Sequence, residues 1–170
     1  MTIDIDNETT SDAAAIAALI SEAFATARVA SGTEAEIVTR LRADGKLLLS
    51  LVARDGGTMV GHLAASPATI GGERGWALIG PLAVDPAHQG RGIGTALMHA
   101  ALKRLAGMGE RGVVLVGNPD YYRRFGFTPD CGVDLPGVPP ANVMARPLAG
   151  GQAKGLLVCH PALMPQDNRL

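Results

Sequence analysis

The chain has 170 residues, 47% hydrophobic and 18% charged, with 15 basic against 16 acidic groups and a net charge of −1. That length and composition fit one folded domain, residues 1–170, with a sizeable core, and they exclude a disordered polypeptide; the lack of a basic run argues against a nucleic-acid partner. Two widely spaced cysteines, Cys131 and Cys159, an opening Met1-Thr2-Ile3-Asp4 with no leader pattern, and no apolar run of spanning length lead to the expectation of a cytoplasmic protein with reduced thiols and no membrane contact.

Ile3 and Ile5 alternate with Asp4 and Asp6, which reads as a short strand. Thr10-Ser11-Asp12 offers helix caps, and Ile16, Leu19, Ile20, Ala23 and Phe24 recur at helical spacing, so an amphipathic helix is predicted from Ser11 to Ala27. A second helix start stands at Ser31-Gly32-Thr33-Glu34-Ala35-Glu36, with Ile37, Val38 and Leu41 as its apolar side and Gly45 as its stop. Leu47 to Arg54 and Met59 to Ala65 form strands joined by a turn at Asp55-Gly56-Gly57, and after Gly71-Gly72 a further strand runs from Trp76 to Val84.

The next residues are Asp85-Pro86-Ala87-His88-Gln89-Gly90-Arg91-Gly92-Ile93-Gly94-Thr95, after which Ile93, Leu97, Ala101 and Leu105 mark one face of a helix ended by Gly107 and Gly109. A helix N-terminus at the end of a strand presents unpaired backbone N–H groups and the positive end of a dipole. Glycines at 90, 92 and 94 let an anion approach without Cβ atoms in the way, and Arg91 adds charge. The same pattern also serves as a ligand-free tight turn. Val113 to Val116 is a buried strand expected to run parallel to the one ending at Val84, because a crossover helix joins them. Strand ends that splay apart there would open a slot for a ligand. A Pro- and Gly-rich loop over Pro129, Pro136, Pro139 and Pro140 precedes Val143 to Arg146. A turn at Gly150-Gly151 then leads to a last strand, Leu156 to Cys159.

Three segments in order carry a resemblance. Leu82-Ala83-Val84-Asp85-Pro86 resembles the fourth strand of the GNAT superfamily of acetyl-CoA-dependent N-acetyltransferases. Gln89-Gly90-Arg91-Gly92-Ile93-Gly94 matches its Gln/Arg-x-x-Gly-x-Gly/Ala loop, and Tyr122-Arg123-Arg124-Phe125-Gly126-Phe127 is similar to its Tyr-x-x-x-Gly-Phe segment. The resemblance is specific over Gly80 to Phe127 and merely compatible elsewhere. It implies an α/β (α+β) fold of a single domain, with a mixed, mostly antiparallel twisted sheet of about six or seven strands and helices on both faces.

It also implies acetyl-CoA as donor, no metal, and direct transfer to a primary amine through a tetrahedral intermediate. The pantetheine would lie along Leu82, Ala83 and Val84, and the phosphates on Gln89, Gly90, Arg91, Gly92, Ile93, Gly94 and Thr95. Tyr122 would be the acid that protonates the departing thiolate. Asn118 is a candidate cofactor contact, although it stands only four residues before Tyr122. A backbone N–H near Leu82 is the implied oxyanion donor.

No general base is assigned. Asp85 reads as the cap of its Asp-Pro turn, His88 as a solvated loop residue, His62 as a wall residue and Glu73 as an exposed turn residue. The rival readings are a non-catalytic acyl-CoA sensor or subunit, and a dinucleotide-binding domain, whose Gly-x-Gly-x-x-Gly spacing is missing. The amine acceptor carries no motif, and neither does the oligomeric state, a homodimer being the commonest assembly among soluble homo-oligomers.

Overall fold

The computed structural model describes residues 2–25, 33–150 and 153–164. The predicted helix end at Ala27, the start signal at Ser31-Gly32, and Gly151 lie outside the described residues. The elements in order are β1 (Ile3–Asn7), α1 (Ala13–Phe24), α2 (Glu34–Ala43), β2 (Leu49–Asp55), β3 (Thr58–Ile70), β4 (Glu73–Val84), α3 (Ile93–Gly107), β5 (Gly112–Val116), α4 (Pro119–Tyr122), β6 (Thr128–Pro129), β7 (Val133–Asp134), β8 (Val143–Pro147) and β9 (Gly155–Cys159).

The hydrogen-bonded order is β1-β2-β3-β4-β5-β8-β6, with β9 on β3 and β7 on β9. Most pairs are antiparallel, and β4 and β5 run parallel as the crossover requires, Trp76 opposite Gly112 and Leu78 opposite Val114. The sheet therefore has nine strands among the described residues rather than six or seven. The additional ones include β6 and β7, two residues each inside the Pro- and Gly-rich segment, too short for any alternation to show.

The chain divides into two compact units, Met1–Ala65 with Pro81–Leu102, and Ser66–Gly80 with Lys103–Leu170. In the first, residues alternate along β3 between two helical layers. Ala64 joins Val52 and Ala83 in a cluster with Ile16 and Ile20 of α1 and Val38 of α2. Gly61 points the other way, where a Cβ would come within 2.9 Å of both Ile93 and Leu97 of α3, so only glycine permits that helix to sit so close.

The helix starts follow their caps. Thr9 precedes the first turn, and its N–H donates to Asp12 Oδ2 at 2.8 Å, while Asp12 Oδ1 also accepts from Arg54 Nη2 at 2.7 Å. Helix α2 has Glu34 and Glu36 in its first turn and Arg40 and Arg42 in its last, matching its dipole at both ends.

In the second unit Trp76 is 1% exposed and packs with Ile70, Leu78, Val114, Val143 and Leu157. Its ring covers Gly112, where a Cβ would meet it directly. Each such large apolar side chain contributes about 1.5–3 kcal/mol by burial. Cys131 and Cys159 are free and half-buried against this core, and burial pushes the Cys159 thiol up to about 11. Among the described residues no helix is long and apolar enough to cross a membrane.

Candidate active site

The first unit contains the strand end and helix start singled out from the sequence. Alternation buries Ala83 and leaves Leu82 and Val84 half-buried, so Ala83 can offer a ligand only its backbone. Asp85 N–H donates to Val60 O at 2.8 Å, which fixes the end of β4 beside β3. A single 3-10 turn, Pro86–His88, follows.

Asp85 heads that turn without a side-chain bond to its backbone. Its Oδ2 instead accepts from His88 Nδ1 at 2.6 Å, so His88 is a half-buried partner of Asp85 and not a solvated loop residue. The competitor for the capping carboxylate is an imidazole three residues on. Gln89 Nε2 donates to Val84 O at 3.3 Å, tying the loop back to the strand.

Gly90 and Gly92 have φ of +78° and +81°, a left-handed conformation that side chains other than glycine rarely adopt, and a Cβ at either would meet no atom within 4 Å. The loop thus folds with its glycines facing open space. Helix α3 begins at Ile93, and its first intrahelical bond is Ala96 N–H to Gly92 O at 3.0 Å. The N–H groups of Ile93, Gly94 and Thr95 have no acceptor one turn back. Ile93 is buried, Gly94 and Thr95 are half-buried, and Gln89, Gly90, Arg91 and Gly92 are exposed. A helix start that accepts an anion needs these features.

The second unit holds Tyr122 and Asn118. The helix α4 is one turn long, and Asn118 is its N-cap, with Oδ1 accepting from Asp120 N–H at 2.9 Å. Tyr122 lies in an aromatic cluster, 4.9 Å from Tyr121, 6.4 Å from Phe125 and 6.3 Å from Phe127 between ring centroids. Burial, with a smaller contribution from Tyr121, pushes its hydroxyl up to about 12. Gly126 closes the segment at φ 84°, and Arg146 Nη1 donates to Phe125 O at 2.9 Å, fixing the turn that carries the aromatic rings. Glu73, read as an exposed turn residue, opens β4 and meets Arg111 at 3.0 Å.

A polar chain that the sequence did not announce lies in the first unit. Arg42 Nε and Nη2 donate to Glu8 Oε2 and Oε1 at 2.9 and 3.0 Å, Ser50 Oγ bonds Glu8 Oε1, and His62 Nε2 lies 2.8 Å from Ser50 Oγ. His62, read as a wall residue, has no exposed surface, and its Nδ1 has no partner. Burial pushes His62 down to about 4, with Glu8 opposing and Arg42 assisting. Burial alone would raise Glu8, but the bonds from Arg42 and Ser50 and the Arg42 charge outweigh it and hold the carboxyl below its usual range. A cavity of about 280 Å³ opens beside this chain, lined by Asn7, Glu8, Leu47, Leu48, Leu49 and Ser50.

Comparison with known proteins adds a separate line of observation. The profile of the Acetyltransferase (GNAT) family matches residues 14–127. An Escherichia coli protein described as the uncharacterized N-acetyltransferase YhbS is 41% identical over 118 residues, 68% of each chain. A crystal structure of a GNAT family acetyltransferase from Brucella melitensis in complex with acetyl-CoA superposes with a TM-score of 0.84 at 39% identity, covering 95% of this chain and 97% of that one. The crystal structure of Escherichia coli YhbS in complex with CoA gives a TM-score of 0.83 at 34% identity, covering 94% and 91%.

Proposed function

The chain belongs to the GNAT acetyltransferase family, and from that premise we propose that it is an N-acetyltransferase moving an acetyl group from acetyl-CoA to a primary amine by direct transfer. The observation that carries the reading is the open glycine loop before α3, with Gly90 and Gly92 at positive φ and three unmatched helix N–H groups behind them. What supports acetyl-CoA as donor is that relatives at 39% and 34% identity hold acetyl-CoA and CoA.

In this reading the backbone of Gln89 to Thr95, with Arg91, binds the pyrophosphate. The strand Leu82 to Val84 aligns the pantetheine through its peptide groups, and Asn118 is a further cofactor contact. A main-chain N–H near Leu82 faces the carbonyl oxygen, where a fixed dipole stabilises developing negative charge without reorganising. Tyr122 supplies the proton to the departing thiolate. With its hydroxyl near 12 it stays protonated at every working pH, and it gives up the proton only to a thiolate formed beside it.

The test is release of free CoA thiol from acetyl-CoA across amino acids, polyamines, aminoglycosides and short peptides, with Tyr122→Phe beside the wild type. Turnover on one class of amine, lost in the variant, is the expected result. Binding of acetyl-CoA without turnover on any amine would instead favour a sensor.

A further inference from the structure

The link from Val84 at the end of β4 to Ile93 at the start of α3 has two halves of different character. In its glycine half, Gly90 and Gly92 stand at positive φ and face open space, so no side chain packs over either α-carbon. Glycine is also the residue with the most backbone freedom to lose. A site built on such a loop binds well only if something else fixes the loop beforehand.

The strand half supplies the fixing. Asp85 N–H is bonded to Val60 O, which anchors the start of the link to the sheet, and His88 N–H donates to Asp85 O at 2.8 Å, which closes the 3-10 turn. A carboxylate can only accept, so in the 2.6 Å contact His88 Nδ1–H donates to Asp85 Oδ2. Residue 88 is thus tied to residue 85 twice, once through its peptide and once through its ring. An aspartate at the head of a turn ordinarily accepts from a backbone N–H just beyond it. Asp85 makes no such bond and commits its carboxylate to the imidazole instead. With side chains 23% and 21% exposed, the pair is partly shielded from water, where a hydrogen bond to a carboxylate is stronger than one between neutral groups. The next residue, Gln89, is tied back as well, through Nε2 to Val84 O. Two consecutive residues therefore hold the chain in a set direction immediately before Gly90.

We propose that Asp85 and His88 are positioning residues for acetyl-CoA, their side-chain bond holding the turn from which Gly90 to Thr95 meet the pyrophosphate. This rests on the reading of that loop as the cofactor's cradle. The effect of the pair falls on cofactor affinity, since what it holds is the loop and not a group that moves a proton. The chemistry of the bond also sets which replacements preserve it. Asparagine carries an amide Nδ2 about where the imidazole carries Nδ1 and can donate to the same carboxylate, whereas alanine has no donor.

The experiment measures CoA affinity by calorimetry, well below the melting temperature, together with kcat at saturating acetyl-CoA. His88→Ala is expected to weaken CoA binding about tenfold or more while kcat stays within about threefold. His88→Asn is expected to return the affinity to within about threefold of wild type. Asp85→Ala should match His88→Ala, and the double variant should bind no more weakly than either alone, because the same bond is lost in all three. Wild-type affinity in His88→Ala would overturn the proposal, as would losses that multiply in the double variant or an Asn variant as weak as Ala. A fall in kcat larger than the fall in affinity would overturn it too, by placing the pair in the transfer step. Should His88→Ala fail to fold, Asp85→Asn, which keeps an oxygen acceptor for Nδ1–H, is compared with Asp85→Ala. Only the alanine variant should lose affinity, and equal affinities would overturn the assignment. A wild type that binds no CoA would remove the cradle reading and this proposal together, whereas wild-type affinity in the alanine variants removes the pair alone.

Discussion

The ring of Tyr122 lies against the α-carbon of Gly117, so that a Cβ on Gly117 would come within 2.7 Å of Tyr122 Cδ2. Gly117 is held from both sides by Asn142, whose backbone O accepts from Gly117 N–H at 2.9 Å and whose Nδ2 donates to Gly117 O at 3.2 Å. The ring therefore rests on a fixed floor. Gly117→Ala should tilt it and lower kcat about tenfold, a 1.4 kcal/mol rise in barrier, with the acetyl-CoA KM nearly unchanged. A kcat equal to wild type would show that the hydroxyl position does not depend on that floor.

Tyr122→Phe should lower turnover at least tenfold, by about 1.4 kcal/mol or more, while acetyl-CoA affinity measured by calorimetry stays close to wild type. Because burial holds the hydroxyl near 12, its ionisation should cause no fall in rate between pH 8 and 10. An alkaline limb in that range that disappears in the Phe variant would contradict this.

Gly92→Asp should abolish acetyl-CoA binding by placing negative charge in the cradle. Gly92 stands at φ +81°, so the proper control is Gly92→Asn, equal in shape and in backbone demand. Asn should weaken binding and Asp should remove it. Equal affinities for the two would mean that phosphate charge is not what the loop senses.

Stability should fall as pH drops from about 6.5 towards 4. Folded His62 sits near 4 against 6.5 unfolded, so the unfolded chain binds its proton first, and stability is complete above 6.5 and declines below it. The slope is about 1.4 kcal/mol per pH unit for one proton. Glu8, held low, adds a further loss as pH falls below its unfolded value and through its folded one. Urea titrations should show the 6.5 to 4 slope flattened in His62→Gln, and an unchanged slope would place the titrating group elsewhere.

Gly61→Ala should cost about 1–3 kcal/mol by overpacking Ile93 and Leu97. Since Ile93 is the first residue of α3, acetyl-CoA affinity should drop along with Tm. A drop in Tm alone would mean that the helix start adjusts without moving the cradle.

The cradle is readable in the sequence because its determinants are local. Glycines at 90 and 92 are needed at positive φ within one turn, and the apolar spacing of Ile93, Leu97, Ala101 and Leu105 announces the helix behind them. Glu8, Arg42 and Ser50 are unreadable for the opposite reason: Glu8 is 34 residues from Arg42 and 42 from Ser50, and nothing but the fold brings them together. Asp85 fails as a predicted cap because turn chemistry in sequence does not weigh a histidine three residues on. Strand β3 is underpredicted because exposed Pro67 looks like a terminator, yet the strand runs on to pair Ala68 with Cys159.

Strand β1 is the outer member of the sheet order, and it alternates half-buried Ile3 and Ile5 with exposed Asp4 and Asp6. Among the described residues no strand pairs its outer side; such an edge is a template for a second edge, and two of them meeting would set carboxylate near carboxylate along their length. The acidic residues that looked like mere alternation thus act as a barrier against fibrous self-association.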